Sequence, residues 1–457
     1  MQLSHAASSM SAVFDEPNLV VSAGLVPALA LAERVGIGDL ARQRLTVPGD
    51  AGANAGAKVM CLVAGMAAGA KSIDGMGVLR HGATGVLFGG VRAPSTLGTF
   101  LRGFTFGHVR QLDAVASRAL VGLAQRTDLL PGIAEGCLID IDDTIGRVYG
   151  SAKQGAQFGY TKVRGINAQI ATISTAQAAP VIAATRLRRG AVSSGHGAGQ
   201  IAAEAVATAR RCGATGPILV RADTAYCHAK TVAAIRRAGA GFSIGIKLDT
   251  RVRRAIAGIP EDAWVRIEYP WAIPDPQTGE LVSAAEIAET PYTAFASKPV
   301  KDHVDVRLIV RRIPERNPKK LAGQDELFPL YRYHALITDS AAPLVQAEAT
   351  HRGHAIVEQV FADLKASALA HLPSGKFTAN AAWLVCAAIA FNLARALGRL
   401  AGGSLARAET ATIRDRIINI PARVARSARR ITLHLPRGWL WATSWLTVWR
   451  HALASAR

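Results

Sequence analysis

The sequence predicts an α/β fold: a mixed sheet flanked by helices, preceded by a helical region and joined by a block of strands. Three observations predict it. Short apolar runs that end in acids, at 138–142 and 217–223, alternate with helix-forming stretches between residues 137 and 249. The first 130 or so residues carry apolar side chains at helical spacing. The stretch from about 250 to 339 is strand-like and punctuated by Pro, Gly, Asp and Asn. A chain of 457 residues has room for about two to four domains with sizeable cores.

The elements follow in order. Residues 27–45 hold two apolar-periodic pieces split at Gly36 and Gly38, and 57–70 reads as a helix of small and apolar residues. Ser72, Ile73 and Asp74 make a cap for the next helix. Ser95 and Thr96 precede Leu97, Phe100, Leu101 and Phe104, an amphipathic pattern carrying Arg102. Residues 108–125 continue it with Arg110 and Arg118, and Arg126 lies just beyond. Short helices with basic faces suit a helix-turn-helix-like DNA module, a texture that compact helical domains of other purposes share.

From Cys137 the texture changes to strands at 138–142, 167–174, 181–183, 217–221 and 242–248, with helices at 197–212 and 230–238. Within 250–339, strands are expected at 265–269, 292–295, 304–312 and 331–338, with a helix signal only around 284–288. Beyond Pro343 the pattern predicts helices over 346–369 and 378–400. The longest apolar stretch, 381–390, is too short to span a bilayer and suits a buried core helix. After Gly403 the chain is a basic tail, with Arg414, Arg416, Arg423, Arg426, Arg429, Arg430 and Arg437 against the acids Glu409 and Asp415.

Composition narrows the function. A formal net charge of +20 and a pI near 10.4 call for a polyanionic partner, for which nucleic acid is the commonest, although an Arg-rich genome gives the same bias. The five cysteines are scattered without a CxxC pair, which excludes a zinc ribbon and argues against a disulfide framework. The first residues contain no basic segment followed by an apolar run, so no secretory signal is expected. The protein is expected in the cytoplasm, with access to DNA and no membrane partner.

Three segments carry the chemistry. Asp140, Asp142 and Asp143 end a buried strand; alternation puts Asp140 and Asp142 on one face and turns Asp143 away. Asp223 ends a second apolar strand, where open α/β sheets gather their ligands. On a predicted helix, His351, His354, Glu358 and Lys365 are spaced by 3, 4 and 7 and share a stripe, while Asp363 is rotated off it. Solvated turns and a solvated helix face would explain each segment singly. Carboxylates meeting in space would instead hold Mg²⁺ or Mn²⁺, which prefer hard oxygen ligands and serve phosphodiester cleavage.

The ordered set IDIDDT at 139–144, LVRADTAY at 219–226 and HRGHAIVEQVFADLK at 351–365 resembles the DDE transposases of bacterial insertion sequences, specifically the insertion-sequence-1380 family. Supporting stretches are QGAQFGYTKVRGINA at 154–168 and IPARVARSARRITLHLPRGW at 420–439, so the resemblance covers nearly the whole chain. It implies an RNase H-like catalytic core interrupted by an inserted β-rich domain. The corresponding division is a helical DNA-binding region at 1–130, core at 131–249, inserted domain at 250–340, core again at 341–402 and a basic region at 403–457. By position it implies a catalytic and metal-binding triad of Asp142, Asp223 and Glu358, choosing Asp142 over Asp140.

In the family's Tyr-x2-Arg-x3-Glu-x6-Lys pattern, His351 and His354 stand at the Tyr and Arg positions, while Glu358 and Lys365 match. The resemblance therefore implies a phosphate clamp at Lys365 and DNA contacts at His351 and His354. Relatives with the inserted domain hold a flipped base on aromatic residues, for which Trp264 and Trp271 are the choices here. The implied reaction is hydrolysis at the ends of the element and attack of the freed 3′-hydroxyl on target DNA. The partners are double-stranded DNA, as terminal inverted repeats and target, and a second copy in a homodimer. Arg102, Arg426, Arg429 and Arg430 would grip the phosphates. A non-catalytic DNA-binding protein is the alternative. A zinc hydrolase lacks both the His-Glu-x-x-His pattern and a third zinc ligand.

Overall fold

The computed structural model describes residue 1 and residues 3–159, 161–268, 285–314 and 331–454. After a two-residue strand β1 (Leu19–Val20) come α1 (Leu25–Val35), α2 (Ile37–Arg44), α3 (Gly49–Gly52), α4 (Ala55–Ala68), α5 (Thr84–Leu87), α6 (Pro94–Arg102) and α7 (Phe106–Thr127). Of these, α1, α2, α4, α6 and α7 stand where helices are expected, the short α3 and α5 are not among those expected, and the helix expected after Asp74 is a 3-10 helix over Asp74–Arg80. Gly36 separates α1 from α2 at φ 79°, a conformation that glycine adopts without steric cost. Thr105 caps α7: its backbone N–H donates to His108 Nδ1 at 3.1 Å, and its hydroxyl accepts from the His108 N–H.

The sheet is built from β2 (Cys137–Arg147), β3 (Gln157–Phe158), β4 (Arg164–Ser174), β5 (Val181–Arg189), β6 (Ile218–Ala222) and β7 (Gly241–Ile246), with α8 (Ala198–Arg211) and α9 (Ala229–Arg237) in the crossovers. β2, β6 and β7 run parallel, and β4 pairs antiparallel with both β2 and β5. Next come α10 (Thr250–Ala257), β8 (Val265–Ile267), β9 (Ala285–Ala294), β10 (Val304–Pro314) and β11 (Tyr331–Thr338). These strands continue the same sheet, in the order β7-β11-β10-β9-β8, because β11 pairs antiparallel with β7.

Two local expectations are corrected in this stretch. Residues 250–257 are helical, since Asp249 accepts from the N–H groups of Arg251 and Val252, and Val252 and Ile256 bury one face. Of the helix signal around 284–288, residue 284 lies outside the described residues and 285–288 belong to strand β9, whose pairing with β8 and β10 overrides the helix preference of its alanines. The expected strand at 265–269 is described as far as Ile267, with Tyr269 outside the described residues.

The chain then forms α12 (Leu344–Arg352), a 3-10 turn at Gly353–Ala355, α13 (Ile356–Ala366) and α14 (Phe377–Ala401). The single helix expected over 346–369 is thus broken at Gly353. α14 is long and apolar enough to cross a membrane by length, and its residues 379–398 are all buried inside the fold. Its mid-helix Asn392 is satisfied by β5, accepting from Ile182 N–H and donating to Ile182 C=O, each at 2.8 Å. α4, α6 and α7 pack on α14, so the helical start of the chain shares its core with the second half.

The remaining elements are α15 (Thr410–Ile413), a π-helical turn at Arg414–Ile418, β12 (Ala422–Ser427), β13 (Arg430–His434) and α16 (Ala442–Leu453). The Arg-rich end is therefore no loose tail. β12 and β13 form a hairpin that pairs with β1, and α16 packs on α1 and α14.

Candidate active site

The register of β2 and β6 brings the first two acids together. Asp140 lies opposite Arg221 and Ile141 opposite Ala222, so Asp142 and Asp223 follow one step further along adjacent parallel strands. Such strands lie about 4.8 Å apart, and register partners point to the same face. Both acids follow where the β2–β6 pairing ends, but β2 itself, expected to stop at Asp142, continues to Arg147 against β4, so Asp142 lies within the strand and not at its end. Asp223 caps the turn Thr224–Tyr226, its Oδ1 accepting from Ala225 N–H at 2.9 Å.

Asp142 is left free by its neighbours. Asp140 is fully buried and held by Arg221, with Nε to Oδ1 at 2.7 Å and Nη2 to Oδ2 at 2.8 Å. Asp143 is buried against the Arg188 guanidinium, Asn167 Nδ2 at 3.0 Å and Ser194 Oγ at 3.2 Å. Asp142 Oδ1 accepts only the Asp143 N–H, at 2.7 Å. Burial pushes its carboxyl up to about 7; the Asp143 N–H opposes this, and the charges of Asp223, Asp143 and Glu358 add to it. Burial also raises Asp223, partly offset by the Ala225 N–H and by His354. Asp142, Asp223 and Glu358 therefore share one electrostatic neighbourhood.

Glu358 stands exposed in the first turn of α13, where the helix dipole favours a carboxylate. Lys365 lies seven residues on along the same helix, also exposed. The expected four-residue stripe does not survive, because His351 ends α12 and His354 lies in the 3-10 turn. The two imidazoles stack at 6.0 Å, and His351 Nδ1 is 2.9 Å from Ser243 Oγ. Burial lowers His351 to about 4, with His354 adding to the effect, so at neutral pH it is no cation. Burial lowers His354 as well, while Asp140, Asp223 and Glu358 oppose, and its Nε2 is buried without a hydrogen-bond partner.

Asp363 faces away, accepting from the Thr410 N–H at 2.8 Å and from the Thr410 hydroxyl. Arg102 is exposed at the end of α6, with Nη2 3.1 Å from Thr99 Oγ1. Arg426, Arg429 and Arg430 are exposed on the β12–β13 hairpin. Trp264 offers no bare face on the side where the Arg312 guanidinium lies 4.2 Å over its ring, and Trp271 lies outside the described residues. A cavity of about 550 Å³ opens beside Asp223 and Thr224, walled by Lys247, Arg311, Tyr333 and His354 among others.

Three supporting residues escaped the sequence reading: Arg221, Arg188 and Ser243. Arg221 could have been found, since an arginine inside the apolar run at 217–222 demands a buried carboxylate. Arg188 and Ser243 leave no comparable trace.

The donor chemistry fits a hard divalent cation: carboxylate oxygens, mutually repelling, within β2, just past β6 and on a helix. As placed, no three His, Cys, Asp or Glu side chains among the described residues stand close enough together to hold one. The chain supplies the charge for such an ion without a closed cage.

No curated protein matches the chain. A family model does, the one described as transposase DDE domain group 1, over residues 5–454. On that match across almost its entire length, the chain belongs to the DDE transposases.

Proposed function

We propose that this transposase cuts the ends of an insertion sequence with Asp142, Asp223 and Glu358 and joins the freed 3′-hydroxyls to target DNA. The observation that carries the proposal is the β2–β6 register, which sets Asp142 beside Asp223 while Arg221 and Arg188 occupy the neighbouring Asp140 and Asp143. The sheet order β5-β4-β2-β6-β7, with Asp142 and Asp223 one step past the last paired residues of two adjacent parallel strands, supports an RNase H-like core. The motifs favour the insertion-sequence-1380 family within the DDE transposases.

Asp142, Asp223 and Glu358 would hold Mg²⁺ or Mn²⁺, which when bound supply activation of the attacking oxygen and stabilisation of the leaving oxygen. The residues of the chain do the rest. Arg221 holds Asp140 in a buried ion pair away from the site, so that Asp142 and Asp223 would face the DNA. Lys365 would hold a phosphate as a point charge. His351 and His354, neutral at physiological pH, would meet DNA as hydrogen-bonding groups rather than as cations. A homodimer would bring two ends together.

The test is nicking of a duplex carrying the ends of the element, with Mg²⁺ or Mn²⁺. Wild type should cut, while Asp142→Asn, Asp223→Asn and Glu358→Gln should each lose more than about a hundredfold in rate. A wild type that binds the duplex and never cuts it would leave a non-catalytic DNA-binding protein.

A further inference from the structure

We propose that the β12–β13 hairpin is a recognition ribbon that enters the major groove of double-stranded DNA and reads base edges with Arg426, Arg429 and Arg430. The inference rests on the reading of the chain as a transposase that acts on DNA ends. The root of the hairpin is built into the fold. β12 pairs with β1, Val424 is buried, and its register partner Leu433 is half-buried. Beyond that pair the hairpin is bare: every residue from 426 to 432 is exposed, Ile431 among them at 49%.

Two-stranded hairpins are marginal in water when no layer covers them. This one keeps its pairing out to Ser427↔Arg430, around a tight turn in which Ala428 has φ 50°. Register partners share a face, so Arg430 projects beside Ser427, Arg426 projects beside Ile431 on the other face, and Arg429 sits at the tip. A flat anionic surface would need cations on one face. Cations on both faces and at the tip suit a groove with phosphates along both walls.

The size and charge agree. Two strands about 4.8 Å apart, with their side chains, match a B-DNA major groove about 12 Å wide and not a minor groove about 6 Å wide. Duplex RNA hides its major groove from such a ribbon. Residues 416–457 contain eight arginines and no Asp or Glu, so the segment that carries the hairpin is basic throughout. Arginine is also the side chain that forks onto guanine O6 and N7. The C-terminal segment is fastened to the helix that carries Glu358 through the Asp363–Thr410 contact, so DNA gripped by the ribbon is gripped relative to the acids.

The full-length chain, without divalent metal, is used to select from a pool of randomised DNA duplexes, in parallel with Arg426→Ala, Arg429→Ala and Arg430→Ala. These exposed positions leave the fold untouched. Wild type should enrich a guanine-containing motif, and each variant should lose preference by about tenfold at one or two positions while keeping the others. Replacing those guanines by 7-deazaguanine, which removes only the major-groove N7, should weaken wild type and spare the matching variant. The proposal is overturned if wild type enriches nothing, or if the variants keep the whole motif. It is also overturned if they weaken selected and scrambled duplexes equally, which marks phosphate contacts alone, or if an RNA duplex of the same sequence binds as well. Nicking is scored separately. A chain whose motif depends on the hairpin but which never cuts would remove the catalytic reading and leave the ribbon standing.

Discussion

Arg221 grips Asp140 through two hydrogen bonds, at 2.7 and 2.8 Å, and turns its remaining nitrogen to the carbonyl of Thr350. One buried guanidinium thereby ties the first strand of the site to the second, and both to the end of α12, just before the turn that leads to Glu358. Removing one partner strands the other charge in the interior. Asp140→Leu or Arg221→Met is expected to cost about 3–5 kcal/mol, and the two together much less than the sum of the single losses. Urea unfolding of the four proteins measures the coupling. Strictly additive losses would show that the pair does not act as a unit.

Asp142 carries a pH signature. Its carboxyl is raised by burial from 3.8 to about 7, so between those values the native state keeps a proton that the unfolded chain has released. Metal-free stability should therefore fall as pH rises through this window, with the full deficit present above it. Asp142→Asn, which cannot ionise, should be more stable than wild type by about 1–3 kcal/mol near pH 8 and equal to it below pH ~4. Excess Mn²⁺ should reverse the order near pH 8, because the ligand is then missing from the variant. Thermal melts across pH with and without Mn²⁺ check both halves, and the absence of any gain near pH 8 would contradict the placement of this acid.

Lys365 is exposed on the helix of Glu358. Lys365→Ala should leave the melting temperature unchanged, weaken duplex binding regardless of sequence, and reduce the slope of log K against log salt by about 1. Anisotropy titrations at several salt concentrations read all three. An unchanged slope would mean that this lysine touches no phosphate.

His351 behaves oppositely to a phosphate clamp. Its folded pKa, about 4, lies below the ordinary 6.5, so stability should be lost as pH falls through that interval while the unfolded chain takes up the proton first. Between about pH 6 and 8 the ring stays neutral, and His351→Gln should leave the pH dependence of DNA binding unaltered. A pH-dependent component of binding that vanishes in the variant would refute this.

Much of the fold was legible in the sequence because its signals are local. The apolar strand that stops just before Asp223, the helices at 55–68 and 377–401, and the split at Gly36 all follow from periodicity and backbone freedom, whereas β2 runs on past its acids to Arg147. So does the short list of acids. What the sequence could not contain is which strand neighbours which, since pairing joins residues far apart in the chain. The β-rich stretch was recognisable as strands, but only the β7–β11 pairing makes it a continuation of the central sheet. Helix propensity at Gly353 was too weak a clue to reveal the break between α12 and α13.

The proposed triad shows the same division. The sequence by itself narrowed the acids to Asp223, Glu358 and one of the aspartates at 140, 142 and 143, because acids are rare at the ends of apolar strands and stand out. Tertiary structure decided what each aspartate has for company. Arg221 and Arg188 arrive from other strands to neutralise Asp140 and Asp143, and leave Asp142 with a raised proton affinity beside Asp223. A carboxylate's role depends on the charges around it, and those are set by the packing of distant segments rather than by its neighbours in sequence.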